Sequence, residues 1–173
     1  MTNPIIIVNY DQSWPKLYHL FSKRFADSLG DIAAAIEHIG STAVPGLAAK
    51  PVIDIDVLLA TSELLPTAIE RLGRIGYSYQ GNLGIAEREA FRAPDSDPPH
   101  HLYVCPPGSR EFQRHLAFRD YLRNHPLEAK TYGDLKMSLA EKFREDRNAY
   151  LAGKTEFVAK LTALALSSQK VIC

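Results

Sequence analysis

Two aspartates at alternate positions are the residues of this sequence best placed to do chemistry. Asp54 and Asp56 lie in residues 52–59, a run rich in β-branched side chains that predicts a strand. Side chains two apart in a strand point to the same face, so the two carboxylates lie together and repel each other. A hard divalent cation relieves this repulsion, and Mg²⁺ accepts one or two carboxylates together with water and phosphate oxygens. The alternative is an edge strand whose acids are solvated.

A glycine–serine turn precedes this strand at Gly40 and Ser41. Its backbone amides can approach an anion closely, and the serine hydroxyl adds a donor. A phosphate-binding turn beside two metal-binding acids is the arrangement that metal-assisted phosphoryl or nucleotidyl transfer requires. We therefore predict Asp54 and Asp56 as catalytic metal ligands. Gly40 and Ser41 are predicted to bind a nucleotide. Lys50, just before the strand, either neutralises a phosphate of that nucleotide or is a surface lysine.

Arginine and histidine side chains further along the chain extend the predicted site. Arg88 and Arg92 are four apart in a strand predicted at residues 85–92, so they would share a face and form a guanidinium clamp for a triphosphate. Pairing with neighbouring glutamates is the alternative. His101 is a candidate metal ligand through a neutral imidazole, which would favour Mn²⁺ or Zn²⁺. Its alternative role is a strand-end histidine bonded to the backbone.

Other polar side chains are predicted to have structural roles. Arg119 is expected to form an internal ion pair that joins a helix to the sheet. His38 is expected to be a hydrogen-bonded core histidine, and His115 a helix-surface or packing residue. Glu37 is a candidate for a further acid at the site, or it faces solvent.

The order of these residues resembles the signature of the nucleotidyltransferase superfamily, which has the polymerase-β-like fold. That signature is a hydrophobic residue followed by Gly-Ser, a spacer, and two aspartates that are each followed by a hydrophobic residue. Residues 39–41 and 54–57 fit it. Residues 37–55 resemble more closely the diagnostic stretch of the GrpB family, a group of small bacterial proteins also found fused to dephospho-CoA kinases. Further similarity to that family lies in residues 84–92, 101–104 and 118–122.

The resemblance implies a metal-dependent transfer of a nucleotidyl group from an NTP to an unknown small-molecule or protein acceptor. Active members of the superfamily usually carry a third carboxylate on a neighbouring strand, where this sequence has His101 and Tyr103. GrpB-like proteins often have His-x-His there. The alternative is therefore a catalytically degenerate module that binds a nucleotide or a CoA-like ligand. A third possibility is a purely accessory domain, in which the aspartates lie on an edge strand and keep it from associating with other chains.

The elements that must position these residues follow from hydrophobic periodicity. Residues 14–29 predict an amphipathic helix and residues 32–39 a strand or a passage from helix into strand. A second helix is predicted to begin after Thr61 or Ser62. Further short strands are predicted at residues 77–79, 85–92 and 102–105. From about residue 109 every segment has helical periodicity. The predicted fold class is α/β (α+β), a nucleotidyltransferase-like mixed sheet of about four or five strands with packed helices. We expect one domain over residues 1–173 with a helical C-terminal third.

Composition excludes several classes of protein. Twenty basic and twenty acidic side chains cancel, which argues against a dedicated nucleic-acid-binding protein. No apolar run approaches the roughly 20 residues needed to span a bilayer, so no membrane partner is expected. The two cysteines, Cys105 and Cys173, lack the spacing of metal ligands and predict a reducing, cytoplasmic compartment. The sequence does not indicate an oligomeric state.

Overall fold

The computed structural model describes residues 4–169, in which a sheet-containing part is followed by helices. The helices are α1 (Trp14–Leu29), α2 (Leu65–Arg74), α3 (Arg110–Asn124), α4 (Pro126–Lys142) and α5 (Arg147–Gln169). The strands are β1 (Ala33–Ile39), β2 (Ile53–Leu59), β3 (Ser78–Tyr79), β4 (Glu89–Arg92) and β5 (His100–Cys105). Short 3₁₀ turns lie at Gly30–Ile32, Ser41–Ala43 and Ser62–Leu64. The predicted mixed sheet with packed helices and a helical C-terminal part is confirmed.

The strand that carries the two aspartates lies inside the sheet, whose order is β1-β2-β5-β4-β3. β2 pairs with β1 in antiparallel and with β5 in parallel orientation. Asp54 and Asp56 therefore have a strand on each side, and the suggestion of an edge strand with solvated acids is wrong. In the register of the sheet they lie opposite Ile39 and Glu37 of β1, and opposite His101 and Tyr103 of β5.

One face of the sheet is apolar and packs against α1 and α2. Ile53, Ile55 and Val57 alternate with the aspartates along β2 and are buried. They join the aromatic side of α1, where Phe21 and Phe25 are four apart and both buried. Burial of these apolar side chains is the main stabilising contribution on this face. Because side chains alternate along a strand, burial of the apolar residues also directs the aspartates to the opposite face.

The opposite face of the sheet is joined to α3 by polar contacts. His115 and Arg119, one helical turn apart, reach Asp56 and Glu37, which are neighbours across β1 and β2. Nη1 of Arg119 donates to a Glu37 carboxylate oxygen at 2.7 Å and to the His38 carbonyl oxygen at 3.0 Å. The predicted ion pair between helix and sheet is confirmed. Glu37 is engaged in it, so Glu37 does not add an acid to the aspartate pair.

A second apolar cluster holds α4 and α5 against the segment that follows β1. Val44 and Leu47 of that segment pack with side chains from all three C-terminal helices, namely Leu122, Ala129, Tyr132 and Leu161. Through this packing the helical part of the chain is placed beside the Ser41–Ala43 turn.

The strand predicted at residues 85–92 is shorter in the structure. β4 begins only at Glu89, because residues 81–88 form turns in which Leu83 and Glu87 have φ values of 50° and 61°. Such values are unfavourable for residues other than glycine. Two bonds hold Glu87 there: its carbonyl oxygen accepts from Oγ of Ser109 at 2.8 Å, and its carboxylate accepts from the backbone N–H of Arg110 at 2.7 Å.

Within residues 4–169, none of the helices has the length and apolar character that crossing a membrane would demand. Cys105 is buried and its thiol is free. Cys173 lies outside the described residues.

The bonds of the buried Arg119 to Glu37 and to the His38 carbonyl yield a stability prediction. We expect Arg119→Met to lower the free energy of unfolding by about 1–2 kcal/mol, because it leaves the buried carbonyl without its donor, while solvent partly compensates the half-buried carboxylates of Glu37 and Asp120. Arg114→Met is the matched control on the same helix, since the Arg114 side chain is 52% exposed and pairs only with Glu111 among the described residues. Urea denaturation of both variants measures the difference. Equal stability losses would show that α3 is not held through Arg119.

Candidate functional site

A cavity of about 710 Å³ is lined by β2, β5, the Ser41–Ala43 turn, α4 and α5. A cavity of this size suits a small molecule. Its lining carries one carboxylate, that of Asp54, and an excess of basic side chains: Lys50, Arg88, His101, Lys136, Arg147 and Lys154. The site therefore has an acidic part on the sheet and a larger basic part, half of whose residues lie on the C-terminal helices.

Gly40 lies against Asp54 at the acidic part. Its φ of 70° and ψ of −170° place it in a region that residues with a side chain avoid. A Cβ atom at this position would lie 2.5 Å from Oδ2 of Asp54, closer than atoms can approach. Glycine is thus required both by the backbone conformation and by the carboxylate beside it. The turn begins at the next residue, Ser41, whose hydroxyl lines the cavity.

Asp56 is completely buried beneath this site. Its Oδ2 accepts a hydrogen bond from Nδ1 of His115 at 2.7 Å, while its Oδ1 has no hydrogen-bond partner within the described residues. Burial raises the pKa of Asp56, and the bond to His115 opposes that shift. Burial is the largest single influence and lowers the pKa of His115, but the hydrogen bond to Asp56 and the charges of Asp56 and Glu111 together outweigh it, so the net shift is upward. A buried carboxylate oxygen without a donor is an arrangement that a bound cation would satisfy.

His101 reaches Asp54 from the neighbouring strand, as their shared face predicts. Its Nδ1 lies 2.7 Å from Oδ1 of Asp54. This nitrogen is engaged in a hydrogen bond to the carboxylate. Among the residues that the structure describes, no group of three or more His, Cys, Asp or Glu side chains is arranged to hold a metal ion. The predicted three-ligand set of Asp54, Asp56 and His101 is therefore not formed.

The basic part of the cavity is centred on Lys136 of α4. This residue is 2% exposed, and its Nζ donates to Oγ of Ser41 at 2.8 Å. Burial lowers the pKa of Lys136 to about 7, with a further lowering from the nearby charge of Lys154, although Asp54 raises it. Burial also lowers the pKa of Lys154. None of the ion pairs formed within residues 4–169 involves either lysine.

The predicted arginine clamp is not formed. Arg88 lines the cavity, where its guanidinium carbon lies 4.1 Å from the centroid of the Tyr103 ring. Arg92 lies outside the cavity lining and forms an exposed ion pair with Asp95 at 2.9 Å. The two arginines do not share a strand face because Arg88 precedes β4, where the positive φ of Glu87 ends the strand geometry. Lys50, in contrast, lines the cavity, and its role in binding a phosphate stays a prediction.

Four residues of the site were missed by sequence reasoning: His115, Lys136, Arg147 and Lys154. The expectation that His115 is a surface or packing residue is wrong, since it bonds to Asp56. Lys136 had a detectable signal, because it occupies the buried stripe of α4 together with Ala129, Tyr132, Gly133 and Ala140. A lysine at helical spacing among buried residues is unusual enough to mark a special environment. Arg147 and Lys154 lie on α5 and had no comparable signal.

The contact between Gly40 and Asp54 predicts an effect of adding one methyl group. Gly40→Ala should lower the free energy of unfolding by about 3 kcal/mol. Alanine does not tolerate the φ and ψ angles that glycine adopts here, and its Cβ would collide with the carboxylate oxygen of Asp54. Gly46→Ala is the control, because Gly46 has a φ of 79° but a Cβ added there would meet no atom within 4 Å. We expect about 1 kcal/mol for that variant. Urea denaturation compares them, and equal losses would contradict the steric role of Asp54.

The lowered pKa of Lys136 predicts a pH-dependent gain in stability when its charge is removed. Below pH 7 this lysine is charged in both the folded and the unfolded chain, so the folded state bears the full free-energy cost of burying the ammonium. Between pH 7 and 10.5 the folded state loses its proton while the unfolded chain keeps it, so this cost declines as the pH rises. Lys136→Met should therefore raise the free energy of unfolding by about 2–4 kcal/mol at pH 6.5 and by about 1 kcal/mol or less at pH 9.5.

The measurement is urea denaturation at the two pH values. Lys130→Met is the control on the same helix, because Lys130 is 73% exposed and pairs with Asp134. A Lys136→Met protein less stable than the wild type at both pH values would contradict the prediction.

Comparisons with known proteins give the chain its family. The family model described as GrpB protein matches residues 4–164. The chain is 36% identical over 152 residues to UPF0157 protein YqkA of Bacillus subtilis, covering 88% of this chain but only 44% of that relative. It resembles the crystal structure of conserved protein GrpB from Enterococcus faecalis with a TM-score of 0.87 and 34% identity, over 95% of this chain and 99% of that one. A dephospho-CoA kinase of Mycolicibacterium paratuberculosis is 28% identical over 176 residues, which cover 87% of this chain and 43% of the kinase. The chain belongs to the GrpB family.

Proposed function

We propose that this chain is a metal-dependent nucleotidyltransferase, which moves a nucleotidyl group from an NTP to a small-molecule or protein acceptor. One observation carries the proposal: a single cavity is lined by Asp54, by Ser41 of the glycine–serine turn and by an excess of basic side chains, while Asp56 is buried two residues further along the same strand. Carboxylates bind a cation, and the turn and the basic groups bind phosphates. Placement in the nucleotidyltransferase superfamily is part of this proposal.

The residues present fit a hard divalent cation. Asp54 and Asp56 offer oxygen ligands, and Oδ1 of Asp56 is buried without a hydrogen-bond donor among the described residues. Two carboxylates, completed by phosphate oxygens and water, are the usual environment of Mg²⁺, and Mn²⁺ accepts the same ligands. Bound there, the cation would neutralise phosphate charge at the reacting phosphorus. Zn²⁺ fits less well, since Nδ1 of His101 is bonded to Asp54.

The chain's own groups then bind and orient the nucleotide. The cavity that contains Asp54 is also lined by Ser41, Lys50 and Arg88. In this proposal these three side chains contact the phosphates of the nucleotide. An oxygen of the acceptor attacks the α-phosphorus and forms a new P–O bond, while the bond from that phosphorus to the oxygen that bridges to the β-phosphate breaks. The pyrophosphate leaves with the electron pair of the broken bond, and the acceptor's proton passes to solvent.

A second candidate is a module that binds a nucleotide or a CoA-like ligand without transferring any group. Two observations favour it. No third carboxylate joins the aspartate pair within the described residues, and each aspartate is already hydrogen-bonded to a histidine. The similarity to a dephospho-CoA kinase agrees with a nucleotide-like or CoA-like ligand for either candidate.

The proposal predicts that Asp54→Asn separates metal binding from folding. Asparagine keeps an oxygen that accepts from His101 but removes a charge beside Asp56, so stability without metal should be unchanged or higher. The affinity for Mn²⁺, measured by calorimetry, should fall about 10-fold or more. Pyrophosphate release from NTPs, in the presence of pooled small-molecule acceptors, should fall to background. Asp134→Asn is the control, since that residue is exposed and pairs with Lys130 on α4.

Each outcome selects between the candidates. Pyrophosphate release by the wild type and the Asp134→Asn protein, but not by Asp54→Asn, supports transfer. Nucleotide binding by the wild type with no pyrophosphate release under any acceptor pool supports the binding module. An Asp54→Asn protein that unfolds while Mn²⁺ affinity is unaltered in its folded fraction would show that the aspartate is structural.

A further inference from the structure

Lys136 is a buried cation with little compensation from the protein. Its ammonium has three N–H donors, and within residues 4–169 its one hydrogen bond goes to Oγ of Ser41 at 2.8 Å. The ammonium also lies 4.4 Å from the centroid of the Tyr132 ring, a weaker attraction. No described carboxylate pairs with it. Burying a charge in this way is unfavourable for the protein alone and becomes favourable when the group binds an anion.

The same wall of the cavity gathers further positive charge from other elements. Lys154 and Arg147 belong to α5, and Lys50 precedes β2. Burial lowers the pKa of Lys154 most, the charge of Asp54 raises it, and the charges of Arg147 and Lys50 lower it further. The charge of Lys154 in turn lowers the pKa of Lys136, whereas the charge of Asp54 raises it. These four groups therefore lie close enough to repel one another. A multiply charged anion relieves such repulsion more than a singly charged one does.

Ser41 connects this wall to the acidic part of the site. It follows Gly40, which touches Asp54, and its hydroxyl is bonded to Lys136. A chain of linked phosphates that begins beside Asp54 would thus pass Ser41 before it reached the lysines. The volume of about 710 Å³ accommodates such a small molecule.

We propose that Lys136 and Lys154, with Oγ of Ser41, form a subsite for the terminal phosphates of the ligand and hold the leaving pyrophosphate. The cavity accordingly selects ligands with two or more linked phosphates over monophosphates. The place of this subsite in the reaction rests on the proposed function. Its binding of polyphosphate requires neither a metal ion nor turnover.

The test is calorimetric titration of metal-free protein with pyrophosphate, tripolyphosphate and inorganic phosphate, in the presence of EDTA at pH 7. Pyrophosphate and tripolyphosphate should bind the wild type about 10-fold or more tightly than inorganic phosphate, with affinity that falls as salt is added. Lys136→Met and Lys154→Met should each weaken pyrophosphate binding about 10-fold or more, because each removes a charged donor. Circular dichroism verifies that both variants are folded.

Matched controls are available on the same helices. Lys130→Met on α4 and Lys160→Met on α5 remove exposed lysines and should leave pyrophosphate affinity within about twofold of the wild type. Equal affinity in the wild type and the folded Lys136→Met protein would overturn the proposal. Equal affinity of the wild type for phosphate and pyrophosphate would overturn it as well.

Asp54→Asn distinguishes this inference from the proposed function. In EDTA the variant should bind pyrophosphate as tightly as the wild type or more tightly, because it removes a negative charge from the cavity. Lysine-dependent pyrophosphate binding without any nucleotidyl transfer would support the subsite and reject the transferase. Nucleotidyl transfer that survives Lys136→Met with unchanged pyrophosphate affinity would support the transferase and reject the subsite.

Discussion

Asp56 places a carboxylate at a fully buried position on an interior strand. The rest of the arrangement depends on the need to compensate this group. A carboxylate there must be compensated from the face opposite the apolar core, and α3 supplies His115 for that purpose. One turn further along, Arg119 compensates Glu37, the residue opposite Asp56 on β1. Two contacts at helical spacing thus align α3 across the β1–β2 pair. The orientation of this helix therefore rests on electrostatic compensation as well as on the burial of its apolar side chains.

The alignment of α3 in turn determines where the basic wall lies. Leu122 at the end of α3 packs with Val44 and Leu47, and the same cluster includes Tyr132 of α4 and Leu161 of α5. The two following helices therefore lie over the segment that begins at Ser41. Lys136, four residues after Tyr132, reaches the serine as a consequence. The acidic and basic parts of the cavity are far apart in sequence, but they are joined by one continuous set of contacts.

The parts of this site that could be predicted are those determined by local geometry. Strand alternation placed Asp54 and Asp56 on one face. The structure packs Gly40 against Asp54, whereas the approach of the Gly40–Ser41 amides to a phosphate stays a prediction. The Arg88–Arg92 clamp was predicted wrongly because the start of β4 depends on Glu87, whose positive φ is stabilised by Ser109 and Arg110 from another part of the chain. Because contacts from a distant part of the chain determine where the strand begins, the local hydrophobic pattern does not show it.

Lys136 shows why the basic wall was harder to predict than the acids. Its position in the apolar stripe of α4 shows that it is buried, but the partner, Ser41, is 95 residues away and depends on how three helices dock. Helix periodicity specifies which face is buried and not what that face meets. The stability of the free protein does not account for this lysine, because burial disfavours its charge and an apolar side chain would fill the same stripe. A group that is unfavourable for the fold and faces a cavity shared with Asp54 is better explained by a ligand that the cavity binds than by the packing of α4.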